Sequence, residues 1–149
     1  MEKQEKHPKN YSLIIFSALV VVGMVLFWPK PIQTLQIDTV SLIVGKEKFQ
    51  AEVSRTPESR SKGLSFRDKL CFDCAMLFVF DQPGQYGFWM KDMRFPIDIL
   101  WIRNGKIVHK ETNVSEKNPT TLKPDVEADM VLEVRPNSPL QKGDTVILK

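Results

Sequence analysis

The stretch Ile97-Asp98-Ile99-Leu100-Trp101-Ile102-Arg103-Asn104-Gly105-Lys106-Ile107-Val108-His109-Lys110-Glu111-Thr112 decides the fold. Two apolar, β-branched runs of strand length flank an Asn-Gly pair, and both residues of that pair tolerate the positive φ of a two-residue hairpin turn. Outward from it, runs of the same kind are Thr39 to Val44, Lys48 to Val53, Ala75 to Phe80, Gly87 to Met90, Met130 to Arg135 and Thr145 to Leu148. Gly, Pro and Asn separate them, and Gly45-Lys46 marks a second hairpin turn. Eight short strands at this spacing predict a mostly β domain, a single compact β-barrel or sandwich. One short helix is expected at Thr56-Pro57-Glu58-Ser59-Arg60. There Thr56 caps, Pro57 suits the first helical position, Glu58 complements the dipole and Gly63 ends the helix. Thr112 to Asp129 is polar, holds Pro119 and Pro124 and lacks apolar periodicity, which predicts a long surface loop.

Ahead of this domain, Tyr11 to Trp28 is almost unbroken apolar sequence without a charge. As a helix it is ~27 Å long, close to the ~30 Å hydrocarbon core of a bilayer. No small-residue cleavage site follows Phe27-Trp28-Pro29-Lys30-Pro31, so an uncleaved anchor is expected rather than a removed signal peptide. Lys3, Lys6 and Lys9 precede the span and only Lys30 follows it closely, which predicts a cytoplasmic tail over 1–10. The anchor is then 11–28, the tether 29–37 and the extracytoplasmic domain 38–149, in a single-pass protein of the cell membrane. With 149 residues the chain has room for one such domain. Basic and acidic residues are interleaved for a net charge of +3, which is not a nucleic-acid footprint. The expected partners are the membrane, through 11–28, and an envelope ligand or protein.

Several ordered segments resemble a known family. Gly63-Leu64-Ser65-Phe66-Arg67, Ala75-Met76-Leu77-Phe78-Val79-Phe80, Phe88-Trp89-Met90-Lys91 and Phe95-Pro96-Ile97-Asp98-Ile99-Leu100 are similar to segments of domain of unknown function number 192. Val131-Leu132-Glu133-Val134 and Lys142-Gly143-Asp144 are similar to its closing pattern, so the resemblance spans roughly Val40 to Leu148. It implies a compact β-rich domain, often exported, and it does not imply a reaction.

The residues support a binding site more readily than a catalytic one. On an extended Phe88 to Lys91 segment, Phe88 and Met90 share one side, and Trp89 and Lys91 the other. Asp98 stands inside an otherwise apolar run, so it needs a partner when buried, and Lys91, Arg94 or Arg67 is the natural candidate. Two arrangements fit: an internal ion pair that fixes strand register, or a charged pocket floored by Trp89 that holds a polar or anionic ligand through Lys91 and Arg67. The expected binding residues are therefore Arg67, Trp89, Lys91 and Asp98. The alternative is an envelope hydrolase with paired carboxylates, Asp98 with Glu111 or Glu133, assisted by His109. No Gly-x-Ser-x-Gly signature and no phosphate-cradling glycine loop occurs. Cys71 and Cys74 are the only cysteines, too few for a four-cysteine zinc site, and a structural disulfide is expected between them outside the cytoplasm. No metal or cofactor is expected.

Overall fold

Asn104 and Gly105 both take positive φ, 51° and 69°, and turn β4 (Ile97–Arg103) into β5 (Lys106–Val114). A computed structural model describes residues 38–149; the expected tail, anchor and tether over 1–37 lie outside the described residues. Gly45, at φ 58°, makes the corresponding turn between β1 (Thr39–Val44) and β2 (Glu47–Ser54). The other strands are β3 (Cys74–Gly84), β6 (Ala128–Val134) and β7 (Val146–Leu148). All seven form one sheet in the order β5-β4-β6-β3-β2-β1-β7, in which only β2 and β3 pair in parallel.

The sheet curves into a half-barrel, and its two edges approach each other at a single bridge between Lys106 and Thr145. A mostly β fold is what the sequence predicts; the second sheet of a sandwich is absent among the described residues. Alternation along each strand then produces two apolar clusters. Leu42, Phe49, Leu77, Leu100, Ile107 and Leu132 belong to the one enclosed by the curve, to which every strand contributes. Met76, Phe78, Ile99, Trp101 and Val131 face outward, where Leu64, Phe88 and Met90 from the connecting segments cover them. Burial of each such side chain contributes about 1.5–3 kcal/mol.

Two connections make that outer layer. The link from β2 to β3 carries α1 (Pro57–Lys62), with Pro57 in its first turn and Gly63 at its end. The Thr56 hydroxyl accepts from the Ser59 amide while Ser59 Oγ accepts from the Thr56 amide, a reciprocal cap. Thr56→Ala is expected to cost about 1 kcal/mol in urea unfolding. The second connection, from β3 to β4, contains the Gly87 to Met90 run, and here the structure corrects the sequence reading. That run makes one bridge, Phe88 to Leu122, and no strand. It crosses the outer face instead of joining the sheet edge, with Phe88 and Met90 buried beneath it and Trp89 and Lys91 outside. Gly87 permits the crossing, since a Cβ there would lie 2.8 Å from the Thr121 methyl. Leu122 and Val126 also pack on the outer cluster, so the polar 115–127 connection is partly anchored rather than only a surface loop. Among the described residues no helix is long and apolar enough to cross a membrane.

Candidate functional site

The outer layer does not close completely over the sheet. Between α1, the 63–65 segment and the 86–89 segment it leaves a cavity of about 200 Å³. Five aromatic side chains line it together with polar residues of α1 and the 63–65 segment, because β3 directs Phe78 and Phe80 outward and the crossing segment brings Tyr86, Phe88 and Trp89 over them. Phe78 and Phe88 meet edge to face at 4.9 Å, and Phe88 meets Trp101 in the same way at 5.8 Å. Phe80 and Tyr86 stack with centroids 3.5 Å apart. Edge-to-face and stacked contacts fix ring orientation as well as burying area, so these walls are preformed. The Arg60 guanidinium lies over the Phe80 ring and donates to the Arg55 and Val79 carbonyls, which ties α1 to this wall.

Glu133 of β6 also lines the cavity. Register places it between Met76 of β3 and Ile99 of β4, and it is only 5% exposed. Its Oε2 atom is buried and has no hydrogen-bond partner. Burial pushes the carboxyl pKa up to about 8, against a weaker opposing pull from Arg67. Arg67 cannot neutralise it by direct contact, because its guanidinium is held in a two-point ion pair by Glu52, with Nη2 to Oε2 at 2.6 Å. Glu133 is therefore protonated at neutral pH, and an O–H donor faces an aromatic cavity.

The rim carries two exposed aromatic side chains, Trp89 at 49% and Phe66 at 62%. Phe66 adopts φ 65°, an unfavourable region for a bulky residue, and Asp92 opposite it adopts φ 58°. The Phe66 amide donates to the Asp92 carbonyl at 2.9 Å, and Ser65 Oγ donates to the Lys91 carbonyl at 2.9 Å. Such backbone conformations cost about 1–3 kcal/mol each, and here they hold an apolar ring in solvent beside Trp89.

Of the four binding residues expected from sequence, the structure brings only Trp89 to the cavity. Lys91 is exposed on the far side of the rim, Arg67 pairs with Glu52, and Arg94 pairs with Asp68. Asp98 is fully buried, but its partner is Lys110, at 2.9 Å, rather than Lys91, Arg94 or Arg67. The reason is alternation: Asp98 faces the enclosed side of the half-barrel with Leu100, whose cross-strand neighbour is Lys110, while Arg67 and Lys91 belong to the outer layer. Asp98 also accepts from the Asn113, Asn137 and Ser138 amides and the Ser138 hydroxyl, all between 2.7 and 3.0 Å. Burial alone would raise its pKa, but these donors and Lys110 together hold the carboxyl below the usual carboxylate range.

The paired-carboxylate arrangement is not assembled. Ile99 pairs with both Glu133 and Glu111, so these two carboxylates lie on the outer side, opposite Asp98, and are separated from each other by the width of β4. His109 contacts Glu111 at 2.8 Å and its ring lies T-shaped to that of Trp101 at 5.4 Å. A disulfide joins Cys71 and Cys74 just ahead of the core of β3, and both sulfurs are thereby occupied. In the sequence Glu133 reads as a candidate catalytic carboxylate and as part of the family's closing pattern, not as a binding residue. The sequence signal for that role is only that Glu133 interrupts the apolar Met130 to Val134 run as Asp98 interrupts its own; that no positive residue stands opposite it is visible in the strand register alone.

Comparison with solved structures supports the fold. The chain is similar to a candidate transcription regulator from Sinorhizobium meliloti, with 21% identity and a TM-score of 0.74 over 77% of this chain and 97% of that one. It is also similar to a protein of unknown function from Novosphingobium aromaticivorans, with 26% identity and a TM-score of 0.69 over 80% and 91%. No curated protein matches the chain. The model of one family matches residues 40–146, and on that match the chain belongs to DUF192, described as Uncharacterized ACR.

Proposed function

We propose that this protein is a binding module, anchored in the cell membrane through residues 11–28, whose extracytoplasmic domain takes an apolar ring or short aliphatic group of an envelope ligand or partner into the cavity between α1 and β3. The observation that carries the reading is a preformed aromatic cavity opening beside two exposed aromatic side chains, Phe66 and Trp89. At about 200 Å³ it exceeds the ~150 Å³ that accepts a benzene ring in an engineered apolar cavity. Four of the segments that carry the family resemblance converge there, supplying Gly63 to Ser65, Phe78 and Phe80, Phe88 and Trp89, and Glu133. Lys62 and Lys91 near the rim are placed to meet polar parts of a ligand that remain in solvent.

Photolabelling of the full-length protein in its membrane with a phenyl diazirine tests the site. Within residues 38–149, labelled peptides should concentrate in 57–66 and 86–93, and Trp89→Ala should reduce that labelling several-fold with little loss of stability, because Trp89 is half exposed. Labelling spread evenly over the domain, or unchanged by Trp89→Ala, removes the assignment. External protease on spheroplasts should digest the domain; protection would overturn the topology.

A further inference from the structure

Resting on that reading, we propose that Glu133 is the polar contact of the site, donating its carboxyl proton to the carbonyl oxygen of an uncharged ligand whose ring or aliphatic group fills the cavity. The ligand class is thus neutral carbonyl compounds, amides foremost, rather than carboxylates or amines. Two independent features support this. Glu133 is 95% buried and its Oε2 lacks any partner although it lines a cavity large enough for a ligand. A buried polar atom left unpaired costs roughly 1–3 kcal/mol, a cost that an acceptor on the ligand would relieve.

The charged groups around the cavity weigh against the ionic alternatives, since Lys62, which lines it, keeps its ammonium in solvent. From the 63–67 segment, Arg67 is committed to Glu52 of β2, and from α1, Arg60 is committed to two backbone carbonyls while Lys62 is exposed. Glu111 of β5, across Ile99, is paired with His109, and Lys91 and Asp92 lie outside the rim. An anionic ligand would thus enter an aromatic cavity with no free cation at its floor. A cationic ligand would have to ionise Glu133 and bury the resulting pair, whose desolvation offsets most of the attraction. Protonated Glu133 needs neither, and the high carboxyl pKa keeps the donor present at neutral pH.

Methionine methyl spectra of the full-length protein in nanodiscs test the inference, with benzamide, benzoate and benzylammonium as probes. Met93 lines the cavity, whereas Met130 packs on the enclosed cluster and serves as control. Benzamide should shift Met93 and not Met130, and its affinity for the wild type should fall about tenfold from pH 6 to pH 9 as the protonated fraction of Glu133 falls. Glu133→Gln, which keeps a donor, should bind benzamide equally at both pH values, and Glu133→Met should bind it several-fold more weakly at both. Equal benzamide affinity in wild type and Glu133→Met would overturn the Glu133 contact while leaving the cavity as a site. Tighter binding of benzoate or benzylammonium than of benzamide would overturn it too. If no probe moves Met93, the cavity reading itself fails, and this inference with it.

Discussion

Replacing Asp98 by alanine is expected to destabilise the domain by about 3–5 kcal/mol, lowering Tm by roughly 12–20 °C. The carboxylate is fully buried and is the shared acceptor for Lys110, for three backbone amides and for the Ser138 hydroxyl. Its removal strands Lys110, whose ammonium is otherwise satisfied only by Ser138 and the Leu140 carbonyl. Asp98→Ala combined with Lys110→Met should recover much of the loss, because the stranded charge is then gone as well. Additive destabilisation in the double variant would show that the pair is not coupled. The pH dependence has a definite sign. The folded carboxyl titrates below its unfolded value, so its stabilisation is present above the unfolded pKa and is lost as pH falls through the folded one. The effect belongs to the acid limb of the stability profile.

Glu133 should act in the opposite direction. Its folded pKa is raised to about 8 from an unfolded value near 4.5, so the folded state retains a proton that the unfolded state releases. Stability therefore falls as pH rises from about 4.5 to about 8 and levels off above that. At pH 7 the difference of about 2.5 pH units from the unfolded value corresponds to a cost of about 3 kcal/mol. Glu133→Gln carries no ionisable group, so it should match the wild type in urea unfolding near pH 4.5 and exceed it by about 3 kcal/mol at pH 7. Parallel pH profiles for the two proteins would show that Glu133 is ionised in the folded state and would remove the protonated donor from the cavity.

The local order of the fold was legible because local chemistry sets it. Asn104-Gly105 and Gly45 are turn residues whatever surrounds them, and Thr56, Pro57 and Gly63 bound α1 by their own backbone and side-chain preferences. The Gly87 to Met90 alternation was also readable, with Phe88 and Met90 inward, but alternation reports which side is buried and not whether a neighbouring strand is present. A segment lying across a sheet produces the same pattern as a strand within it.

The partner of Asp98 was not legible for a different reason. Lys110 looks like any lysine of a half-exposed strand. Its role follows from the irregular pairing between Ile97 and Ile99 in β4, after which Asn113 at φ 51° turns its amide toward Asp98, and from Asn137 at φ 59°, where the Asn137 and Ser138 amides add two more. Both asparagines tolerate that conformation, and this was the only sequence trace of the cradle. The cavity is a still longer-range product. It needs β3, β6, α1 and the crossing segment together, so Glu133 acquires meaning only once Met76 and Ile99 flank it and Arg67 is known to be engaged elsewhere.

Crystals of the protein pressurised with xenon give the most direct test of the cavity as a site for apolar groups. Xenon occupies dry apolar cavities of this size without needing a polar contact, so its position is independent of what Glu133 does. A xenon atom is expected among Phe78, Phe88, Trp89 and α1, beside the Glu133 carboxyl. Ordered waters filling that space, or xenon bound only within the enclosed cluster around Leu77 and Leu132, would contradict it.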